Sequence, residues 1–363
     1  MQTYATPVIE EMLGTPPFSM DAEAKYALYA RALSDLTLHH YERSPEYRRV
    51  SRLLGYNPRA EMQVEDIPYI PTRLFKEFEL SSVDRRDVIK TMTSSGTSGQ
   101  PVSRIYLDGT TAANQTKVLV KIVSSFTGGK RLPLLIVDSP SVIKDRALFS
   151  ARGAGIVGFS MLGYDPTYLL DENYQIDFAR LHAFLEKHRG DRILLFGFTF
   201  VVWDFLCEAL RRAGRRFQMD GILIHGGGWK KLASLAVDNA AFKNAVAATC
   251  GVSDVCNYYG MVEQTGSIFM ECSQGVLHAS IFSDVLVRDP VAFSPLGPGH
   301  PGLLQLLSLL PTSYPGHSIL TEDIGEILGV DDCPCGRKGK YFRVQGRVMN
   351  AEVRGCSDVY ASH

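Results

Sequence analysis

Five short segments of the chain gather side chains with chemical capability. In Thr93-Ser94-Ser95-Gly96-Thr97-Ser98-Gly99-Gln100-Pro101, hydroxyls are interleaved with glycines. Glycine lets backbone N–H groups converge on an anion, and small hydroxyls add donors without bulk, so the run fits a phosphate cradle. A Ser/Gly-rich run also describes a flexible surface loop, and it is not a Walker motif, because no Gly-Lys-Ser/Thr follows. Gly226-Gly227-Gly228 comes after the strand-like Ile222 to Ile224 and before a helix-like stretch. Its backbone can approach a ligand closely, or it is a tight turn with no ligand. Tyr258-Tyr259-Gly260-Met261-Val262-Glu263-Gln264 sets an aromatic pair and a glycine just ahead of a carboxylate. Cys272 with His278, and Cys333 with Cys335, offer three thiols and an imidazole. That set suits a tetrahedral zinc, structural because every coordination position is filled, although Cys-x-Cys is tighter than common zinc-finger spacing. Four satisfied side chains without metal are the alternative.

These segments need elements to position them. Ser19 is expected to cap a helix whose Tyr26, Tyr29, Leu33 and Leu36 share one face. From Leu132 the pattern alternates apolar runs with helical stretches: Leu134 to Val137, Phe178 to His188, Ile193 to Phe198, Phe200 to Ala213, Ile222 to Ile224, then a helix from near Trp229. Continuous apolar runs between amphipathic helices signal parallel strands covered on both faces. In such sheets ligands bind beyond the C-terminal strand ends. After about Phe282 the chain turns to short strands with Pro and Gly turns.

At 363 residues, one large domain with smaller attachments is the natural organisation. The 38 basic and 39 acidic residues nearly cancel, which argues against the basic surface that nucleic-acid binding needs. Met1 to Gly14 lacks a signal-peptide pattern, and no stretch approaches the roughly 18 apolar residues of a membrane helix. A cytoplasmic location is expected. Seven cysteines, an odd number spread over the chain, are unlike a disulfide framework.

In their order, the Ser/Thr/Gly loop, the glycine turn and the Tyr-Gly-Met-x-Glu segment resemble the adenylate-forming superfamily of acyl-CoA synthetases, luciferases and adenylation domains. The resemblance implies an α/β fold that binds ATP through Thr93, Ser94, Ser95, Gly96, Thr97, Ser98, Gly99, Gly226, Gly227, Gly228, Tyr258, Tyr259 and Gly260. Tyr259 would stack near the adenine, and Glu263 would hold Mg2+. In Thr321-Glu322-Asp323, Asp323 would accept from the ribose hydroxyls, with glutamate standing where the superfamily has glycine. Gly346-Arg347 matches the hinge before the superfamily's small C-terminal domain.

A narrower resemblance covers nearly the whole chain. Ile67-Pro68-Tyr69-Ile70-Pro71-Thr72-Arg73-Leu74-Phe75-Lys76, with Arg347 and Arg354-Gly355-Cys356-Ser357-Asp358, is similar to the LuxE family of acyl-protein synthetases of bacterial fatty acid reductase systems. It implies a fatty acid substrate, acyl-AMP formation and transfer of the acyl group to Cys356. It also implies delivery to an acyl reductase, with an acyltransferase or thioesterase supplying the acid. Glu263, Arg347 and Cys356 are the expected catalytic residues. Arg347 and Arg354 would lower the thiol's pKa, since the thiolate is the nucleophile. An incidental surface thiol is the bland alternative. The superfamily's C-terminal-domain lysine has no counterpart before His363, and Lys338 or Lys340 is proposed in its place.

The expected organisation is a mainly helical region over 1–105, an adenylate-forming core over 106–282, a β-rich subdomain over 283–345, and a hinge with short tail over 346–363. A short acyl- or aryl-CoA ligase and a non-catalytic scaffold are the rival functions. Arg211, Arg212, Arg215 and Arg216 read as a solvated helix end, and His39-His40 as helix surface.

Overall fold

The computed structural model describes residues 5–57, 62–94, 101–144, 151–229 and 236–348. They fall in two compact units. Of the described residues, one unit contains those within 123–259; the other contains those up to Ser94, residues 101–122 and residues 260–348.

The 123–259 unit is built on the expected parallel sheet. Its strands lie in the order Asp254–Tyr259, Gly221–Gly226, Ile193–Phe198, Leu132–Val137, Gly163–Tyr168, and every neighbouring pair is parallel. Every residue of Ile193–Phe198 and Gly221–Gly226 is buried, which is why these segments carry no polar alternation. Asp177 caps the helix Phe178–Lys187 by accepting from the Arg180 N–H, and Leu181 and Phe184 are buried along it. The helical stretch after Phe198 contains a seven-residue π segment, Val202–Glu208, a widened turn often found near functional sites. Arg211 and Arg212 pair with Glu208 and Asp204 across this stretch, in keeping with a solvated face. Residues 230–235 lie outside the description, so the helix expected near Trp229 is described only as Asn239–Cys250, capped by Asp238 and ended by left-handed Gly251.

The other unit carries an antiparallel sheet. Its order is Pro295–Leu296, Ser283–Arg288, Gly302–Ser308, Ser318–Val330, Lys340–Arg347, Leu277–His278, Phe269–Glu271. Ile70–Pro71 adds a short parallel pairing to Ile319 and Leu320, and Lys90–Thr93 with Arg104–Leu107 forms a separate hairpin. The N-terminal helices belong to this unit, so it joins segments that the sequence division separates. Buried Lys25 explains part of that union. Its ammonium donates to the Ser283 carbonyl at 2.7 Å and lies 3.4 Å from Asp284, which Lys340 also reaches at 3.1 Å.

Three local expectations are corrected. The helix Ala22–Arg43 is capped by Asp21, whose carboxylate accepts from the Ala24 N–H, whereas the Ser19 hydroxyl donates to Pro16 O. Tyr29, Leu33 and Leu36 are buried on that helix, but Tyr26 is exposed and donates to Glu65 at 2.7 Å. His40 is not surface: it is fully buried. Its Nε2 donates to Pro311 O at 3.1 Å, which makes Nδ1 the acceptor for the Ser82 hydroxyl at 2.7 Å. Its ring stacks on buried His317, centroids 4.8 Å apart, with Tyr47 and Thr37 on His317 Nε2.

Among the described residues, no helix is long and apolar enough to cross a membrane. Burial holds His40 well below the ordinary imidazole value and pushes His317 down to about 3. Both stay neutral in the fold, whereas unfolded histidines take up protons near pH 6.5. A depressed native pKa gives stability that is present above the unfolded value and lost as pH falls. Urea-unfolding free energy is therefore expected to drop from about pH 6.5 toward pH 4.5, by on the order of 1 kcal/mol per pH unit per histidine. His317→Gln should lower the plateau and flatten that slope by one proton; an unchanged slope would exclude His317 as the titrating group.

Candidate active site and metal centre

In the 123–259 unit, Gly226 ends the interior strand Gly221–Gly226 and Gly227-Gly228 follow, at the C-terminal end of the strand where ligands gather in such sheets. Gly227 and Gly228 take φ values of 82° and 62°, a left-handed pair that glycine adopts without strain. A Cβ on Gly226 would lie 2.5 Å from the Tyr258 ring, so only glycine fits beside that aromatic. Tyr258 packs on Phe159 at 5.2 Å between centroids. Two residues not nominated from sequence hold the turn from beneath. The Thr199 hydroxyl donates to Gly226 O at 3.1 Å, and His225 Nδ1 lies 3.0 Å from that hydroxyl. Because the Thr199 proton is directed at Gly226, His225 must donate from Nδ1. Burial pushes His225 down to about 3, consistent with this neutral tautomer.

In the other unit, Glu263 sits in a buried 3-10 turn, Val262–Gln264. Its carboxylate accepts from the buried Ser103 hydroxyl at 2.6 Å, and its carbonyl accepts from Tyr314 at 2.9 Å. Gln264 reaches the carbonyls of Leu306 and Gly316 at 3.0 and 2.9 Å. A Cβ at Gly316 would come within 2.8 Å of Glu263 O, so the turn and the 309–317 loop are matched surfaces. Of the nominated phosphate loop, Thr93 ends the Lys90–Thr93 strand and Ser94 follows it. Ser95, Gly96, Thr97, Ser98 and Gly99 lie outside the described residues. Ser94 N–H donates to Ser103 O at 3.1 Å and Ser94 Oγ accepts from Ser103 N–H at 2.9 Å, so the loop's two ends are tied together.

Asp323 and Arg347 are cross-strand partners, and their side chains form an ion pair at 3.0 Å. Arg347 also approaches Glu322 at 3.6 Å, so the glutamate in the glycine position shares that guanidinium. Lys340 is committed to Asp284 and Val285 O, and Lys338 donates to Asp331 O. Lys340 thus serves the antiparallel sheet. Cys356, Arg354 and the tail lie outside the described residues.

Cys272, His278, Cys333 and Cys335 converge, with one ligand atom of each within 4.8 Å of the others. The Cys272 and Cys333 sulfurs are 4.0 Å apart, and Cys335 Sγ lies 3.4 Å from His278 Nε2. Zn–S bonds of about 2.3 Å in a tetrahedron put sulfurs roughly 3.8 Å apart, so this spacing fits. Burial pushes the Cys333 thiol up to about 12 and His278 down to about 4. Neutral imidazole is the ligating form, and a divalent cation would reverse the cost of the thiolate. The Gln274 N–H donates to Cys272 Sγ at 3.3 Å, a second layer that orients the ligand.

The family model for the acyl-protein synthetase LuxE matches residues 3–363. The chain belongs to the LuxE family. A long-chain-fatty-acid–luciferin-component ligase of Vibrio harveyi is 24% identical over 358 residues, covering 95% of this chain and 90% of the relative. A phenylacetate-coenzyme A ligase of Thermus thermophilus is 25% identical over 335 residues, covering 88% and 69%. The fold is that of adenylate-forming ligases: a 2-hydroxyisobutyryl-CoA ligase structure superposes with a TM-score of 0.69 at 16% identity, over 92% of this chain and 70% of that one. The LuxE-family chain is accordingly a ligase.

If the Cys/His cluster holds zinc, protein purified without added metal should carry about one zinc per chain by elemental mass spectrometry. Cys333→Ser should lower both zinc content and thermal midpoint. A metal content far below one per chain in folded protein would leave the four side chains as plain packing.

Proposed function

We propose that this LuxE-family ligase activates a long-chain fatty acid with ATP and stores the acyl group on Cys356 for an acyl reductase that makes the aldehyde. The observation that carries the reading is the family match along residues 3–363, and the relative from Vibrio harveyi named for a long-chain fatty acid supports the substrate class. In the first step a carboxylate oxygen bonds to the α-phosphorus of ATP while the bond to pyrophosphate breaks. In the second, the Cys356 thiolate bonds to the acyl carbon and the acyl–oxygen bond to AMP breaks. AMP is a good leaving group, and the thiol must lose its proton first.

The nominated roles follow. Thr93 to Gly99 would cradle the phosphates, Gly226 to Gly228 with Tyr258, Tyr259 and Gly260 would bind the nucleotide, with Tyr259 stacked near the adenine, and Asp323 would accept from the ribose hydroxyls. Glu263 would hold Mg2+, which when bound offsets phosphate charge. Burial of Glu263 beside Ser103 supports this, because a fixed carboxylate loses little freedom on meeting a cation. The Asp323–Arg347 pair supports a role for Arg347 in orienting the ribose contact. Zinc, where bound, is structural and takes no part in either step.

Intact-mass measurement after incubation with Mg-ATP and mixed fatty acids tests the proposal. Wild type should gain one acyl mass that hydroxylamine removes, and Cys356→Ala should lose that adduct while keeping ATP–pyrophosphate exchange. A labile adduct that persists in Cys356→Ala would sink the nucleophile assignment. The relative named as a phenylacetate-coenzyme A ligase favours a second reading, in which free coenzyme A accepts the acyl group; acyl-CoA made by the alanine variant would establish it.

A further inference from the structure

We propose that the outer face of the helix Pro45–Leu53 is a docking surface for an anionic lipid bilayer, with Arg49 and Arg52 meeting lipid phosphates and Leu53 entering the acyl region beside them. The helix is rigidly placed. Ser44 ends the helix Ala22–Arg43 with its N–H on His40 O at 2.8 Å and caps the next helix by accepting from the Tyr47 N–H, so a single residue joins the two. Tyr47 and Ser51 are fully buried and fix the inner face. Arg49, Arg52 and Leu53 fall at i, i+3 and i+4, which places them together on the opposite face. All three are exposed, Leu53 to 87%, and exposed Leu54 extends the apolar end.

The arginines of this stretch are held in place without being neutralised. Arg48 and Arg52 lie over the Tyr41 ring, 5.7 and 5.9 Å from its centroid. Arg52 Nε donates to Tyr41 Oη at 3.2 Å, and Arg48 Nε donates to Tyr41 O at 2.7 Å. A ring and a carbonyl orient a guanidinium and leave its charge in place. Among the described residues, no carboxylate lies within 4.0 Å of the Arg43, Arg48, Arg49 or Arg52 nitrogens. Exposed arginines elsewhere behave differently: Arg73, Arg85, Arg189 and Arg211 each meet a glutamate at 2.5 to 2.8 Å. Over residues 41–54 these four arginines outnumber two glutamates, Glu42 and Glu46. Uncancelled positive charge calls for an anion, and leucines beside it call for an apolar phase. An anionic bilayer supplies both across one plane, whereas nucleic acid would meet the arginines and leave Leu53 and Leu54 in water. On the proposed function, docking would bring the ligase to the phase that dissolves its long-chain substrate; the docking itself does not rest on that reading.

The test sediments the full chain with vesicles of phosphatidylcholine alone, and with vesicles of equal parts phosphatidylglycerol and phosphatidylcholine. Wild type should bind the anionic vesicles only, and binding should fall as salt rises. Arg49→Glu with Arg52→Glu should weaken it by about 10-fold or more, whereas Arg49→Lys with Arg52→Lys should keep it. Leu53→Ser should weaken binding and leave its salt dependence unchanged. Arg215→Glu with Arg216→Glu alters the net charge equally at another exposed site and should bind as wild type does. No sedimentation with either vesicle, equal sedimentation with both, or equal loss in the two charge-reversed doubles overturns the inference. Binding to polyglutamate but not to vesicles, lost in Arg49→Glu with Arg52→Glu, would assign the face to an acidic protein and overturn the lipid assignment. ATP–pyrophosphate exchange without vesicles should be unchanged in that double variant, so failure of the docking leaves the proposed function standing.

Discussion

The unit that contains Glu263 depends on burying an irregular stretch of backbone. Residues 309–317 join two antiparallel strands with no regular structure, yet each is buried. Loops normally run over the surface because their peptide groups need water. Here side chains and loops replace the water: His39 bonds Thr312 O, His40 bonds Pro311 O, Ser82 N–H bonds Ser313 O, Thr111 accepts from Ser313 N–H, and Gln264 bonds Gly316 O. An unmet buried peptide group costs about 1–3 kcal/mol, so this set of partners decides whether the loop can be interior at all. Tyr314 is carried on that loop and reaches the Glu263 carbonyl, so the N-terminal helix, through its two histidines, helps to fix a glutamate more than two hundred positions later.

This dependence explains which parts of the molecule were legible in the sequence. The parallel strands were, because burial on both faces leaves apolar runs such as Ile193–Phe198 that no other element demands. The convergence of Cys272, His278, Cys333 and Cys335 was legible as well, since few other arrangements gather thiols with an imidazole. His40 was not. An adjacent histidine pair on a helix reads as surface, and its burial is imposed by carbonyls at 311 and 312 that pattern analysis cannot bring near residue 40. Tertiary partners, not local periodicity, set its environment.

Ser103, Thr199 and His225 were missed for a related reason. Each acts on another residue's backbone or carboxylate, and a serine or threonine near a strand end has many ordinary uses. Glycine spacing around 226 was visible, but its cause was only half readable: the Tyr258 ring excludes a Cβ at Gly226 because parallel pairing sets the two residues side by side. Ser19 shows the same limit on a smaller scale, where Asp21 takes the cap and moves the helix start by two residues.

The treatment of the carboxylates separates the two nominated ligands physically. Asp323 faces the Arg347 guanidinium, which Glu322 shares. A guanidinium cancels much of the charge it meets, and it would have to share or release that carboxylate for a ribose hydroxyl to bond there. Glu263 instead accepts from the Ser103 hydroxyl. A hydroxyl donor orients the carboxylate it meets without adding a positive charge, whereas the guanidinium adds one.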